Sequence, residues 1–155
     1  MRSNKIISLV FAICALAVML LISLTACQGG GLGFGTTASK ASLSEAKMCK
    51  SVDLETGEPI EVSDTFTSDT QWIFCSVKVS NAAPETKIGA EWLYVQDEAG
   101  GETNYLIADW NTTTEGTHYI PLSIARPENG WPKGDYKIVL YLNDKETLGV
   151  PFKVQ

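Results

Sequence analysis

Two hydrophobic patterns divide the chain. Residues 6–24 are almost wholly apolar and carry no charge. From residue 45 onward, apolar and polar residues alternate, and turn formers recur at intervals of roughly ten positions. A period of two places successive side chains on opposite faces of a strand. No stretch after residue 45 has convincing helical spacing. The alternation predicts seven strands, at 46–51, 71–80, 87–96, 104–110, 116–124, 135–142 and 148–154. Ile73, Cys75, Val77 and Val79 share a face of the second, and Ile88, Ala90, Trp92 and Tyr94 a face of the third. Tyr136, Ile138, Leu140 and Leu142 do so in the sixth, and Leu148, Val150, Phe152 and Val154 in the seventh.

Turn chemistry fits between these runs. Asp97-Glu98-Ala99-Gly100-Gly101 predicts a hairpin, and Asn143-Asp144-Lys145 predicts another that pairs the last two strands antiparallel. Asn129 to Gly134 is a compact, turn-rich crossing. Pro121 inside the fifth run marks an edge or irregular strand, because proline cannot donate to a central ladder. The stretch 52–70 is long and poorly patterned, with a short strand expected at 58–62.

Seven short strands in about 110 residues is the size of an immunoglobulin-like domain. Trp92 lies mid-strand where such domains often bury a Trp, and Gly134-Asp135-Tyr136-Lys137-Ile138 resembles the approach to strand F, with Tyr136 at the tyrosine-corner position. Cys75 stands at the strand-B cysteine position, but Ile138 occupies the place of its usual partner. The resemblance implies an all-β, immunoglobulin-like antiparallel sandwich over residues 45–155.

Arg2 and Lys5 precede the apolar run, and small residues follow it, which is the layout of an export signal. Leu24-Thr25-Ala26-Cys27 then resembles the lipobox of bacterial lipoproteins. That resemblance covers about the first 27 residues. It implies a signal peptide over 1–26, cleavage before Cys27, and a lipidated Cys27 at the mature N-terminus. The other reading is an uncleaved single membrane span, since an apolar run of this length reaches across a bilayer. Both readings leave the positive end in the cytoplasm and export the remainder. Acyl chains contribute about 0.8 kcal/mol per buried CH₂, so two or more hold where one is marginal. The expected location is the cell membrane or outer membrane, with the domain facing outside the cytoplasm; Gln28 after the lipid cysteine resembles the pattern that permits outward sorting.

Residues 27–44 form the lipidated cysteine and a Gly/Ser-rich tether, with Gly29, Gly30, Gly31, Gly33 and Gly35. Such a linker reaches roughly 20–25 Å on average. Of four cysteines, Cys14 leaves with the signal and Cys27 takes the lipid. Cys49 and Cys75 remain, and an even pair in an exported compartment predicts a disulfide. It would close a loop of about 25 residues and stabilise by roughly 3 kcal/mol. A redox or metal pair is the rival reading, but there is no Cys-x-x-Cys and no nearby His.

Charge narrows the partners. The chain carries 12 basic and 18 acidic side chains, with a net charge of −6. Removing residues 1–26 takes Arg2 and Lys5 and no acid, so the exported part is more acidic still. Phosphate neutralisation needs clustered Lys and Arg, so nucleic acid is not an expected partner. Anionic headgroups repel such a domain, which leaves the lipid as its hold on the membrane.

Chemistry-bearing signals are sparse. His118 is the single imidazole, and no hydrolase or metalloprotease motif is present. The chain is therefore expected not to be an enzyme and to need no cofactor or metal. Asp97, Glu98 and Glu102 could supply oxygen ligands, but without the spacing of a calcium loop they read as a solvated acidic turn. Asn111-Thr112-Thr113 matches a glycosylation sequon that a bacterial-type lipoprotein has no use for. Tyr105, Trp110, Tyr119 and Trp131 are incompletely explained by core patterning; Trp110, Trp131 and Tyr105 form the candidate surface for a protein, peptide or glycan, against the reading that they fill the core or cap its ends. The expected function is a lipid-anchored, non-catalytic binding module. An accessory subunit or inhibitor of an envelope enzyme is the alternative.

Overall fold

The computed structural model describes residues 40–155. The expected signal peptide 1–26, the lipidated Cys27 and the tether up to residue 39 lie outside the described residues. The alternating pattern is realised as β1 (Ser42–Val52), β2 (Pro59–Val62), β3 (Thr65–Phe66), β4 (Trp72–Asp97), β5 (Glu102–Ala125), β6 (Gly134–Leu142) and β7 (Lys145–Val154). No helix among these residues is long and apolar enough to cross a membrane. β1 begins at Ser42, inside the stretch assigned to the tether, because Leu43 already packs into the core.

Two pairs of expected strands are fused. The runs at 71–80 and 87–96 are one strand, β4, and those at 104–110 and 116–124 are one strand, β5. The ladder between them survives by bulging. Its register shifts between Val79 and Ala82 and again between Ala82 and Thr86. Asn81 and Glu85 adopt positive φ there, as does Gly116 opposite Ala82. Residues that read as turn formers instead bend a two-stranded ribbon, the ordinary effect of extra unpaired residues.

The bend divides the pairing into two layers. The first part of β4 lies between β1 and the second part of β5. The second part of β4 lies between β6 and the first part of β5, and β7 and β3 follow β6. With β2 added beyond β1, four strand segments face five. The run β1, first β4, second β5 in one layer and β4, β6, β7 in the other is the strand order of an immunoglobulin-like sandwich. β2 confirms the short strand expected at 58–62, while β3 escaped prediction because two residues give no periodicity. Asn143 and Asp144, both at positive φ, form the tight turn between β6 and β7. Backbone bonds between Asp97, Gly100 and Gly101 close the β4–β5 hairpin. Among the described residues β5 pairs with β4 alone, so Pro121 does sit on an edge.

One apolar cluster joins the layers, with Ile73, Val77, Val79 and Leu122 from the first and Ile88, Trp92, Ile138 and Leu140 from the second. Each such side chain contributes about 1.5–3 kcal/mol when fully buried. Tyr136 stacks on Phe152 with centroids 5.1 Å apart, and Trp92 meets the same ring edge-on at 6.0 Å. Tyr136 Oη donates to the Pro132 carbonyl at 2.6 Å, which completes the tyrosine corner.

The expected Cys49–Cys75 disulfide is absent: both are buried free thiols. Register is the reason. Met48 stands opposite Cys75, and Cys49 opposite Phe74. Partners directly opposite share a face, so adjacent Met48 and Cys49 point apart, and the two thiols belong to opposite faces of the layer. Burial pushes the Cys75 thiol up to about 12, and it raises Cys49 too.

Candidate binding surface

β5 is an edge strand along its whole length, and it carries two of the three aromatic residues proposed from sequence. Tyr105 is 67% exposed and Trp110 37% exposed. Register places Tyr105 opposite Tyr94 and Trp110 opposite the buried Ala90. Leu106 is exposed between them.

Trp131 does not belong to this surface. It is 3% exposed, its indole Nε1 donates to the Thr70 carbonyl at 2.8 Å, and its ring meets Tyr136 edge-on. The turn-rich crossing folds over the end of the core, and Trp131 seals it there. Tyr119 is half-buried; its hydroxyl donates to Glu45 Oε2 at 2.8 Å, while Glu45 Oε1 accepts from Lys78 at 2.9 Å. Trp72, at the first residue of β4, is exposed.

On the opposite face of the second layer a shallow cleft of about 510 Å³ runs beside β5. Gly89 supplies its floor: a Cβ there would lie 3.4 Å from Tyr141 Cβ, so the missing side chain lets the tyrosine lie close across the strand. Tyr141 Oη donates to Glu91 Oε2 at 2.8 Å, and that carboxylate raises the phenol's pKa. Glu91 pairs in register with Asp109, which sets two carboxylates directly opposite one another. Neither is in any of the ion pairs among the described residues. Lys87 flanks the cleft, held to Asp144 at 2.9 Å. Gly89, Glu91 and Tyr141 were not singled out in the sequence. The one legible signal was a glycine inside an apolar strand, which marks a close approach.

The other candidates are dispersed. His118 Nε2 and Thr114 Oγ1 lie 3.0 Å apart on the exposed side of β5. Asp97 Oδ1 accepts from the Gly101 amide at 2.7 Å, so the acidic hairpin uses this carboxylate to close its own turn. Among the described residues, no group of three or more His, Cys, Asp or Glu is placed to hold a metal ion. The aromatic edge and the acidic cleft offer apolar contact, hydrogen bonding and negative charge.

No known family's sequence profile matches the chain, and no curated protein matches it. Solved structures are similar at low identity. An immunoglobulin-like protein from Pseudomonas aeruginosa is 11% identical, with a TM-score of 0.49, over 77% of this chain and 99% of the other. The alkylpurine DNA glycosylase of Pseudomonas fluorescens, bound to DNA containing an abasic site analog, is 9% identical, with a TM-score of 0.48 over 74% of this chain. The β-D-glucoside glucohydrolase of Trichoderma reesei is 15% identical, with a TM-score of 0.41 over 75% of this chain. This chain spans only 30% and 19% of those two enzymes.

Proposed function

We propose that the protein is a lipoprotein held by acyl chains on Cys27, displaying a non-catalytic immunoglobulin-like binding domain outside the cytoplasm, on the cell membrane or outer membrane. The observation that carries this reading is the order of parts. A lipobox-like Leu24-Thr25-Ala26-Cys27 closes the apolar run, a glycine-rich stretch follows, and β1 starts at Ser42. Exposed Tyr105 and Trp110 on β5 support recognition as the task. Lipid rather than surface charge makes the attachment, since the acidic domain is repelled by anionic headgroups.

Intact mass of the mature protein extracted from membranes tests the anchor. The expected species lacks residues 1–26 and carries added lipid mass. Full-length polypeptide with an unmodified Cys27 would overturn it. For the domain's role, assays on hydrolase substrates are expected to give no turnover, and measurable turnover would replace the binding reading.

A further inference from the structure

We infer that β5 receives an extended, Lys- or Arg-bearing segment of another protein as an added strand. The inference deepens the binding-module reading and rests on it. Among the described residues, β5 pairs with β4 on one side only, so outward amides and carbonyls along its other side have no strand partner there. The ladder behind this edge is regular, running without a shift from Trp92–Ala108 to Thr86–Thr114. An edge in unbroken register with a supporting strand is a template for another strand.

Natural edges are usually blunted by Lys or Pro. The regular run 108–114 contains no Lys, Arg or Pro; a register shift at Ile107 bounds it on one side, and Gly116 and Pro121 break the edge on the other. Exposed Trp110 lies within this regular run, and Tyr105 just beyond the shift.

Charge selects the occupant. The whole of β5 carries Glu102, Asp109 and Glu115 and not one Lys or Arg. A second copy laid along it would set acidic strand against acidic strand. A basic segment does the reverse. Its residue opposite Asp109 shares the face of Glu91, Gly89 and Tyr141, and Cβ atoms so paired stand about 4.5–5.5 Å apart. A Lys or Arg there reaches Asp109 and extends toward Glu91, relieving a like-charge pair that no ion pair among the described residues neutralises. Residues on either side of it fall on the other face, where Trp110 offers an apolar partner. The recognised chemistry is an extended stretch alternating cationic and apolar residues.

The test uses the full-length protein in detergent micelles. The probes are an eight-residue peptide alternating Val and Lys, its Val–Glu counterpart, and two Val–Lys versions N-methylated on alternate amides in opposite registers. The Val–Lys peptide is expected to bind, more weakly at high salt. The Val–Glu peptide is expected not to bind. One N-methyl register is expected to abolish binding and the other to spare it. Asp109→Asn is expected to weaken binding about tenfold, a difference of about 1.4 kcal/mol. Equal binding of the Lys and Glu peptides, or tolerance of both N-methyl registers, overturns the inference. If N-methylation is tolerated while Trp110→Ala still abolishes binding, strand addition fails and the binding-module reading stands. If no peptide binds at about 1 mM, strand capture fails, and the lipid-anchor reading is judged separately by the mass measurement.

Discussion

Tyr136 and Pro132 are tied by a hydrogen bond of 2.6 Å, the phenol donating to the carbonyl just before β6 begins. The bond fixes the crossing that carries Trp131 over the core end, and the ring beneath it stacks on Phe152. Tyr136→Phe keeps the stack and removes the donor. The expected cost is about 1–2 kcal/mol, read as a lower urea midpoint at unchanged slope. An unchanged midpoint would mean that the corner does not hold the crossing.

Gly134 makes a closer approach to its neighbour strand. It has φ of +148°, and a Cβ there would lie 2.2 Å from the Gln96 carbonyl oxygen. That oxygen belongs to the β4 backbone and has nowhere to move. Gly134→Ala is expected to cost more than about 3 kcal/mol or to prevent folding. Wild-type-like stability by thermal melting would show that the β4–β6 contact yields.

Cys49 and Cys75 are expected to remain reduced and unreactive toward an aromatic disulfide reagent until urea unfolds the domain. A bond between them, seen as loss of two hydrogens in the intact mass, would contradict the register. Their titration adds a pH signature. The Cys75 thiol rises from an ordinary 9.0 to about 12 on folding, so the folded chain holds its proton more tightly than the unfolded chain. Stability is therefore retained below pH 9 and falls as pH climbs toward 12. Cys75→Ala should flatten that alkaline limb.

Glu45 gives the opposite limb. Hydrogen bonds from Lys78 and Tyr119 hold its carboxyl below the usual range. A depressed carboxylate contributes stability above its unfolded pKa and loses it as pH falls through the folded value. Glu45→Gln is expected to make stability less steep with pH on the acid side. Because the group is exposed, the effect is small, and identical acid limbs would show that the pair contributes nothing.

Asp109 opposes Glu91 across the β4–β5 ladder. Asp109→Asn is expected to stabilise the unliganded domain by about 0.2–1 kcal/mol by removing one charge of the pair. A loss of stability would mean that Asp109 is held by contacts other than its like-charged neighbour.

Alternation made the strands and their buried faces legible, because a one-residue slip would have exposed Ile73, Val77 and Val79 together. The tyrosine corner was legible too, through Tyr136 after Gly134-Asp135. The fusion of strands was not. Asn81 and Gly116 carry turn chemistry whether they reverse a chain or bend a ribbon, and only partner register separates the two. The disulfide failed for a similar reason: counting cysteines is blind to which face each occupies. Trp131 follows the core-capping alternative and not the surface one, which spacing could not decide, because burial of a turn residue depends on where its loop lands. Tyr105 and Trp110 are exposed, but the carboxylates beside them come from two strands, and their adjacency is invisible to spacing along either.

β4 and β5 each pass without a break from one layer into the other. The layers are therefore not two leaves held by surface adhesion alone; two continuous spines stitch them at the bend. A pull applied where the chain enters at Ser42 loads β1, passes to β4 through their ladder, and crosses to the far leaf along the same backbone. Load entering there is carried between the layers by covalent backbone as well as by packed side chains.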